Sequence, residues 1–548
     1  MSINVDIVMG ANYGDEGKGR ITSYIANNYD VDDTCVVLHT GSAQRGHTSW
    51  DRDMKYRHVF HHFGSATLDG YPTYLASSYI VNPIIFRKEW EELEADGYTP
   101  SKVFLNKKCH VVFPFHMIVN QCVEEIKRFV GETTNSCGCG VWESTETTVI
   151  DANHCTVIKD MMDSDSYFKT FFDKYHNMHY LDFRLYCNDI TDEFYIFHNS
   201  STAECQHIID RYLDILLDWG IMETFIEDFH FMLEKCILVS SDTELLEHFH
   251  NFVMESSQGL ILSPTYSSYN AYMGTPRPTD ITASFDFLTN IFSVADDVNV
   301  RCNYVTRCYF TKHGGSKLES DCDYCAEDKT NVPNEWQGTM SVDYFCMDDF
   351  KYFVNQDIDN YKRFMSLNNR DRVRPRIFIT CIDQIKNHID FKWDKDTSFD
   401  IDEPERYKYG LNSLIDTIKS TFVADVMLCL SERNDSIVCV SVTSNPKLSD
   451  KLCNDESSIR KHNLSYALHH LGRIVTVTPE TSIDWEQYLQ SQFSPFDTSA
   501  TSVSNTNSIN VTYTPVTFYN TNSSQSITIS SDGELNDASY YHPGRYYF

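Results

Sequence analysis

Apolar runs of strand length alternate with amphipathic stretches along the first half of the chain. The runs INVDIVMG (3–10) and TCVVLHTG (34–41) predict two buried strands, and KGRITSYIANN (18–28) between them predicts a helix. Two longer helices are predicted over 83–97 and 117–131, and each is closed by a glycine. This alternation is typical of an α/β fold with a large, mostly parallel central sheet flanked by helices.

The later part of the chain continues this pattern and then changes in composition. Residues 1–394 are predicted to form the core, 395–470 a charged insertion or peripheral part, and 471–496 the end of the core. Residues 497–548 are rich in Ser, Thr and Asn and predict a flexible tail, in which SITISS could still form a short β element. Further strands are predicted over 236–241, 251–257, 303–310, 376–383 and 436–442.

The charge balance excludes some partners. Among the 548 residues, 45 Lys and Arg face 78 Asp and Glu, which gives a net charge of −33. Such an acidic chain is a poor non-specific binder of nucleic acid and of anionic membranes. No apolar run is long enough to span a membrane, and the first residues predict a strand, not a signal peptide. The 18 cysteines in so long a chain predict reduced thiols, and so a cytoplasmic protein, in the host cytoplasm if it is viral.

The turn after the first predicted strand contains the sharpest local motif, GANYGDEGKG over 10–19. Glycines let backbone N–H groups close on an anion, the next helix offers the positive end of its dipole, and Lys18 adds a charge for phosphate. The motif is not the usual P-loop, because Asn12 and Gly19 stand where that pattern needs Gly and Ser or Thr. We interpret it as a phosphate-binding turn.

A second loop follows the second predicted strand, with the sequence GSAQRGHT over 41–48. Loops that leave the carboxyl ends of parallel strands meet in one crevice, so His47 and Asp15 are predicted to face each other across a ligand. A carboxylate and an imidazole in one crevice are a plausible pair of base and acid.

The order of these motifs resembles the adenylosuccinate synthetase family, whose typical pattern is G-D-E-G-K-G-K followed by N-A-G-H-T. Further blocks match in family order as far as residue 385, and GDEGKG is the most specific of them. These further blocks are FHHFGSATL (60–68), TNSCGCGVW (134–142), VMESSQGLIL (253–262), YVTR (304–307) and ITCID (379–383).

The resemblance implies a ligase that first phosphorylates the 6-oxygen of a purine monophosphate, with GTP or ATP as donor. L-aspartate then displaces that phosphate. Asp15 would remove the purine N1 proton, while His47 and Lys18 would act on the transferring phosphoryl group. Mg²⁺ is the implied cofactor, held by the carboxylate of Asp15 and the carbonyl of Gly46.

The resemblance also implies two sets of binding residues. The phosphate or nucleotide set is Gly14, Glu16, Gly17, Gly19, Arg20, Gly46, Thr48 and, for the base of the donor, Asp383. The set for the purine substrate is Gln44, Arg45, Cys137, Gln258 and Thr275.

The chain departs from the family where L-aspartate should bind. The family's G-R-R-R-R-T-G segment is here QGTMSVD (337–343), without arginine, although Arg307, Lys312 and Arg277 could compensate. An arginine that reaches the neighbouring subunit has no counterpart over 146–151. The family is usually a homodimer, and this loss leaves the oligomeric state open.

Three functions follow from these features. The first is a synthetase acting on an IMP-type substrate, favoured by the carboxylate of Asp15, which would crowd a 2-amino group. The second is the phage-type ligase that couples aspartate to dGMP, favoured by NEWQG and HHFGSAT. The third is a catalytically silent nucleotide-binding or structural homologue, favoured by the missing arginines.

Overall fold

The structure is a computed structural model. The chain forms two compact units, residues 1–373 and 374–548. The described residues are 2–131, 136–145, 202–216, 218–266, 275, 277–313, 340–368, 375–381, 391–392, 410–422, 424–429, 437–440, 517–519 and 526–528.

The described part of the first unit contains a parallel sheet of seven strands. Its spatial order is β11-β1-β10-β2-β5-β7-β9, and every neighbouring pair is parallel. The predicted α/β class with a mostly parallel sheet is therefore confirmed. The strands are β1 (Ile3–Gly10), β2 (Thr34–Leu38), β5 (Thr73–Leu75), β7 (Val103–Asn106), β9 (Cys236–Val239), β10 (Asn251–Gly259) and β11 (Val298–Arg307).

Strand β1 shows why the sheet forms. Val5, Ile7, Val8 and Met9 are all buried, as expected of a strand covered by helices on both faces. In the register, Ile7 lies beside Met254 of β10 on one side and Cys302 of β11 on the other. β-Branched side chains pack well on the faces of a buried sheet, and this mostly apolar segment forms a central strand.

Helices follow the strands, and their ends agree with the predicted stop residues. The first three described helices are α1 (Lys18–Ala26), α2 (Pro83–Ala95) and α3 (Pro114–Val130). Helix α2 starts behind Asn82, whose side chain accepts a hydrogen bond from the amide of Ile85. Gly97 and Gly131 adopt left-handed φ values of 87° and 83° just after α2 and α3.

The remaining elements of the first unit surround this sheet. Helix α3 packs on the fifth helix through an apolar cluster that includes Val119, Cys122 and Ile209. The further helices are α4 (Val141–Thr145), α5 (Thr202–Leu216), α6 (Trp219–Lys235), α7 (Phe285–Phe292) and α8 (Met347–Leu367). The short strands are β3 (His47–Trp50), β4 (Arg57–Phe60), β6 (Ile80–Val81), β8 (His110–Val111), β12 (Phe310–Lys312), β13 (Ser341–Asp343) and β14 (Phe345–Cys346).

In the described part of the second unit, β15 and β17 are parallel and β17 and β18 are antiparallel. A separate antiparallel pair, β19 and β20, includes part of SITISS. The predicted boundaries at 394, 470 and 496 lie outside the described residues and stay predictions. The elements are β15 (Pro375–Thr380), β16 (Phe391–Lys392), α9 (Gly410–Phe422), β17 (Asp425–Cys429), β18 (Ile437–Val440), β19 (Thr517–Tyr519) and β20 (Ser526–Thr528).

No helix in the described part of the chain combines the length and the apolar character that crossing a bilayer requires.

Candidate functional site

The glycine-rich turn over 10–19 joins β1 to α1. Gly14 and Gly17 have φ values of 119° and 88°, in the region that glycine adopts without strain. A Cβ atom on Gly14 would lie 2.7 Å from the side-chain oxygen of Gln258. The turn therefore needs glycine both for its backbone conformation and for the close approach of β10.

Glu16 lies inside this turn and not on its surface. Its Oε1 accepts hydrogen bonds from the amides of Asn12 (3.0 Å) and Gly14 (2.8 Å). The ammonium of Lys18 is 3.4 Å from Oε2 of Glu16 and also donates to the carbonyl of Gly14. Glu16 and Lys18 are both buried. A carboxylate thus occupies loop amides that could equally bind a phosphate oxygen.

Asp15 is held through its backbone. Nε of Arg307, at the end of β11, donates to the carbonyl of Asp15, and Nη1 of Arg307 donates to the hydroxyl of Tyr309 at 2.9 Å. The carboxylate of Asp15 is half-buried and has no hydrogen-bond partner among the described residues. It is therefore available to a proton, a cation or a ligand.

His47 forms a close pair with Glu255 of β10. Nδ1 of His47 lies 2.6 Å from Oε1 of Glu255, and Nη2 of Arg45 lies 3.3 Å from Oε2. Ser65 adds two further donors, its backbone amide at 3.1 Å and its hydroxyl. This places four donors on one carboxylate that is fully buried.

The pKa values of His47 and of Glu255 are both lower than their ordinary values. Burial lowers the pKa of His47 to about 4, and the positive charge of Arg45 acts in the same direction. Burial raises the pKa of Glu255, but Arg45 and the bonds from His47 and Ser65 outweigh it and lower the pKa to about 2. At neutral pH the pair is a neutral imidazole beside an ionised carboxylate.

The two loops meet, as predicted, but β1 and β2 are not neighbours. Strand β10 lies between them. A Cβ atom on Gly19 would lie 2.8 Å from the carbonyl of Thr48 and 3.0 Å from Cβ of His47, so the start of α1 touches the second loop directly. The turn that bears Asp15 and Lys18 and the loop that bears His47 therefore lie next to each other at the carboxyl edge of the sheet.

The end of β10 lies between the glycine-rich turn and the second loop and contacts both. A Cβ atom on Gly259 would clash with the carbonyl of Asn12 and would lie 2.6 Å from the amide of Gly14. A Cβ atom on Gly41, in the second loop, would lie 2.3 Å from the hydroxyl oxygen of Ser257. Gln258 lies between Ser257 and Gly259 in the chain, and its side chain lies beside Gly14 of the glycine-rich turn.

Other predicted residues lie along the second loop with different environments. Gln44 and Thr48 are half-buried, and Oε1 of Gln44 and Oγ1 of Thr48 have no partner in the described part of the chain. Arg45 is buried, and its guanidinium donates to the carbonyl of Phe63 at 3.0 Å besides pairing with Glu255. Gly17 and Gly46 are exposed and Arg20 is half-buried.

The remaining predicted residues are not brought to this cluster by the described contacts. Cys137 lies in the turn before α4, where its carbonyl is 3.8 Å from the sulfur of Cys139. Thr275 is bonded to the backbone of Leu262 and Arg277. Asp383 lies outside the described residues.

Two of the three basic residues considered for aspartate binding lie near the glycine-rich turn, and the third contacts Ser78 instead. Arg307 contacts the glycine turn, and Nζ of Lys312 lies 5.9 Å from the ring centroid of Tyr13 in that turn. Burial lowers the pKa of Lys312. Arg277 instead donates to the carbonyl of Ser78 at 3.1 Å.

Oxygen donors suited to Mg²⁺ occur in the site. The unpartnered carboxylate of Asp15 and the exposed backbone of Gly46 offer hard oxygen ligands, which this ion prefers. Among the described residues, no group of three or more His, Cys, Asp or Glu side chains could hold a metal ion. Asp15 would give such an ion a carboxylate oxygen and Gly46 a backbone oxygen.

Sequence reasoning did not identify Glu255 and Ser65 as parts of the site. A detectable feature was present, since Glu255 is a charged residue inside the apolar run NFVMESS. A carboxylate in a central strand has to be paired when it is buried, and its partner is then a candidate functional residue.

The chain is similar to known proteins over part of its length. The family model for adenylosuccinate synthetase matches residues 7–331. The adenylosuccinate synthetase of Alkaliphilus metalliredigens is 32% identical over 135 residues, which cover 24% of this chain and 30% of the relative. That of Buchnera aphidicola is 30% identical over 167 residues, covering 30% and 36%. The chain thus matches about a third of the length of these curated relatives.

Two solved structures are similar in outline. One is the fully ligated adenylosuccinate synthetase of Plasmodium falciparum, at 14% identity and a TM-score of 0.49, covering 80% of this chain and 100% of that one. The other is the succinoaminodeoxyadenylate synthetase of cyanophage S-2L, bound to dGMP and to dATP as an energy donor. It has 11% identity and a TM-score of 0.47, and covers 85% of this chain and 100% of that one.

Proposed function

The chain belongs to the adenylosuccinate synthetase family, whose model matches more than half of its residues, and from this premise we propose that it joins L-aspartate to the 6-position of a purine monophosphate. The observation that carries the proposal is the direct contact between the turn bearing Asp15 and the loop bearing His47. That contact supports the proposal, because the turn carries the carboxylate of Asp15 and the buried ammonium of Lys18, and the loop carries the imidazole of His47.

The reaction has two steps. The carboxylate of Asp15 takes the N1 proton of the purine, and the 6-oxygen attacks the γ-phosphorus of a nucleoside triphosphate. An O–P bond forms as the β–γ bond breaks and the diphosphate leaves. The amine of L-aspartate then attacks C6, the C6–O bond breaks, phosphate leaves and the amine loses a proton. Lys18 and the backbone amides of the glycine turn stabilise the negative charge on the transferring group.

Mg²⁺, when bound by Asp15 and the Gly46 carbonyl, would neutralise charge on the phosphate oxygens. The other cations of the site come from the chain. We propose that Arg307 and Lys312 recognise L-aspartate, because both lie beside the glycine turn and the segment 337–343 lacks the arginines of the family.

We propose an IMP-type substrate because the carboxylate of Asp15 would crowd the 2-amino group of a guanine base. The roles of the predicted residues toward the purine remain part of this proposal, as does a cytoplasmic location; these residues are Gln44, Arg45, Cys137, Gln258 and Thr275. GTP and ATP are both kept as candidate donors.

The test is a mass-spectrometric assay of the full chain with Mg²⁺ and L-aspartate. IMP and dGMP are each combined with GTP, ATP and dATP, and Asp15→Ala is run beside the matched variant Asp53→Ala. Asp53 is exposed, and the ion pair that the described residues give it is with exposed Lys55. A succinylated nucleotide that disappears with Asp15→Ala but persists with Asp53→Ala supports the proposal and identifies the substrates. Nucleotide binding without product in any combination would establish the silent homologue instead.

A further inference from the structure

The turn before α4 carries two cysteines on either side of one glycine. Cys137 and Cys139 are both half-buried, and Gly138 between them has a φ of 75°. The chain bends at Gly138 and Cys139, and the sulfur of Cys139 lies 3.8 Å from the carbonyl oxygen of Cys137. The side chain of Cys139 is therefore turned back over Cys137. In a bent chain, residues separated by one position have Cα atoms within the roughly 4.4–6.8 Å that a disulfide accepts.

Contacts along the turn hold it against α3. The hydroxyl of Ser136 donates to Oδ1 of Asn120 at 2.7 Å, and Nε2 of Gln121 donates to the carbonyl of Gly138 at 3.0 Å. A Cβ atom on Gly140 would lie 2.5 Å from the backbone of α3, so the end of the turn is pressed directly on the helix. Because the turn is fixed in this way, the two thiols stay close together, and closing a bond between them costs little conformational entropy.

The two thiols have unequal surroundings. Cys139 packs against an apolar cluster around Val112. A hydrogen bond from the thiol of Cys139 lowers the pKa of Cys137, against the effects of burial and of nearby Glu143, and the same bond raises the pKa of Cys139. The thiolate is the nucleophile in cysteine chemistry, so Cys137 is suited to attack an oxidant and Cys139 to react with the product.

We infer that Cys137 and Cys139 form a reversible oxidation site for peroxides, at which a disulfide closes across Gly138. With hydrogen peroxide, the sulfur of Cys137 attacks one oxygen, the O–O bond breaks, and Cys137 becomes a sulfenic acid while the other oxygen leaves as water. The sulfur of Cys139 then attacks the sulfur of Cys137, the S–O bond breaks, the S–S bond forms and a second water leaves. The two thiols are oxidised by two electrons in total, and their two hydrogens leave in the two waters.

This disulfide is compatible with the reducing compartment that the cysteine content predicts, because disulfides of cytoplasmic proteins are usually transient and catalytic or redox-sensing. The bond itself does not depend on the proposed function, since it forms in the free protein without substrate. Its effect does rest on that function. The resemblance to the family assigns Cys137 to the purine set, so we expect the closed disulfide to weaken the binding of the purine monophosphate.

The experiment treats the reduced full chain with hydrogen peroxide at neutral pH, blocks the remaining thiols with iodoacetamide and cleaves the chain at glutamate. Cleavage after Glu132 and Glu143 releases peptide 133–143, whose two cysteines are Cys137 and Cys139. We expect this peptide to lack both thiol hydrogens and both alkyl groups, and dithiothreitol to restore the alkylated form. The pair should oxidise at least about tenfold faster than Cys236, a half-buried thiol on β9.

Single variants separate the two roles. In Cys139→Ser the sulfenic acid of Cys137 has no second thiol to react with, so dimedone should label Cys137 after peroxide treatment. In Cys137→Ser we expect Cys139 to stay reduced. Cys236→Ser is the matched control and should close the disulfide as the wild type does. A peptide 133–143 that remains fully alkylated at a peroxide dose that oxidises Cys236 would overturn the inference, as would dimedone labelling of Cys139 in Cys137→Ser.

The effect on the site is measured by equilibrium titration of IMP with the reduced and the oxidised chain. We expect a weaker affinity after oxidation, restored by dithiothreitol. IMP binding that is present in the reduced chain and unchanged by the disulfide would refute the effect on the site. A chain that closes the disulfide but does not bind IMP in either form would instead refute only the proposed function.

Discussion

The ammonium of Lys18 lies 3.4 Å from the carboxylate of Glu16, and both groups are buried in the turn that is proposed to bind phosphate. The turn therefore contains its own anion when no ligand is bound. A nucleotide phosphate that approaches the same amides competes with Glu16 for them.

Glu16→Gln should destabilise the free protein, because a buried ammonium loses its counter-charge, and breaking such a pair costs about 3–5 kcal/mol. A triphosphate would restore a negative charge beside Lys18. We therefore expect a nucleotide to raise the Tm of Glu16→Gln more than that of the wild type, measured by calorimetry. The pair of exposed Glu91 with half-buried Arg87 gives the control Glu91→Gln, which should change stability by less than about 0.5 kcal/mol. Equal nucleotide shifts in wild type and Glu16→Gln would contradict the competition.

Gly259→Ala should abolish nucleotide binding. Gly259 has a φ of −108°, which any residue can adopt without strain. The effect therefore comes only from the clash of the new methyl group with Asn12 and Gly14. The control is Gly97→Ala, where φ is 87° and no atom lies within 4 Å of the added Cβ. That variant should lose about 1–2 kcal/mol of stability and keep its affinity. Equilibrium titration with a fluorescent nucleotide measures the affinity of both variants. Retained binding in Gly259→Ala would rule out the tight contact between β10 and the turn.

Arg307→Lys should lower kcat by roughly one to two powers of ten, since lysine cannot bond the Asp15 carbonyl and the Tyr309 hydroxyl in the same geometry. Arg301 lies on the same strand and pairs with Asp6 at 3.3 Å. Arg301→Lys is the matched control and should affect stability more than turnover. Steady-state kinetics on both variants, together with urea unfolding, separates the two effects. Similar kcat values for the two variants would argue against a role of Arg307 in holding Asp15.

The contribution of Asp357 to the stability of the first unit should fall as the pH rises from about 4 to 7. Burial, and then the charge of Asp280, raise the pKa of Asp357 to about 7 from an ordinary value of 3.8. The folded state therefore holds a proton that the unfolded state has released in this window. The slope from this one group is about −1.4 kcal/mol per pH unit, and it vanishes above pH 7.

Asp357→Asn should remove this pH dependence, because asparagine can accept from the amide of Ile281 and donate to the hydroxyl of Tyr304. Urea unfolding at several pH values, compared between Asp357→Asn and the wild type, gives the measurement. Asp359→Asn, on an exposed face of the same helix, is the control and should keep the wild-type slope. Parallel pH profiles for wild type and Asp357→Asn would show that Asp357 is ionised in the fold.

Cys137 should react with iodoacetamide faster than the buried thiols. A hydrogen bond from Cys139 lowers the pKa of Cys137, whereas burial raises the pKa of Cys35 and of Cys109. Peptide mapping by mass spectrometry at pH 7.5 follows each site. Protection of Cys137 by IMP would support its proposed place in the purine site. Cys137→Ser is the control for assignment, and labelling of Cys35 before Cys137 would contradict the expectation.

Elements with long, continuous patterns could be predicted from the sequence. The run INVDIVMG became β1, and the helices ending near Gly97 and Gly131 stop where left-handed glycines allow it. Strands β5 and β7 were not identified, because three or four residues carry too little periodicity to separate from a loop. Strand β17 was missed within a segment whose charge suggested an insertion.

The site was predictable only as far as local motifs reach. Asp15, Lys18 and His47 stand in motifs whose residue types already indicate chemistry. Glu255 stands 208 positions from His47, and only the fold reveals that the two share a hydrogen bond. The insertion of β10 between β1 and β2 is likewise a long-range property, which no local pattern encodes.

The order of the central strands has a consequence for synthesis of the protein. Both neighbours of β1 lie far along the chain, since Asn4 is registered with Asn251 on one side and with Asn299 on the other. At about 5–20 residues per second, residue 307 leaves the peptidyl transferase centre roughly 15–60 s after the first strand is made. Until β10 has been synthesised, β1 has neither partner, and chaperone capture in this interval would protect the nascent chain from aggregation.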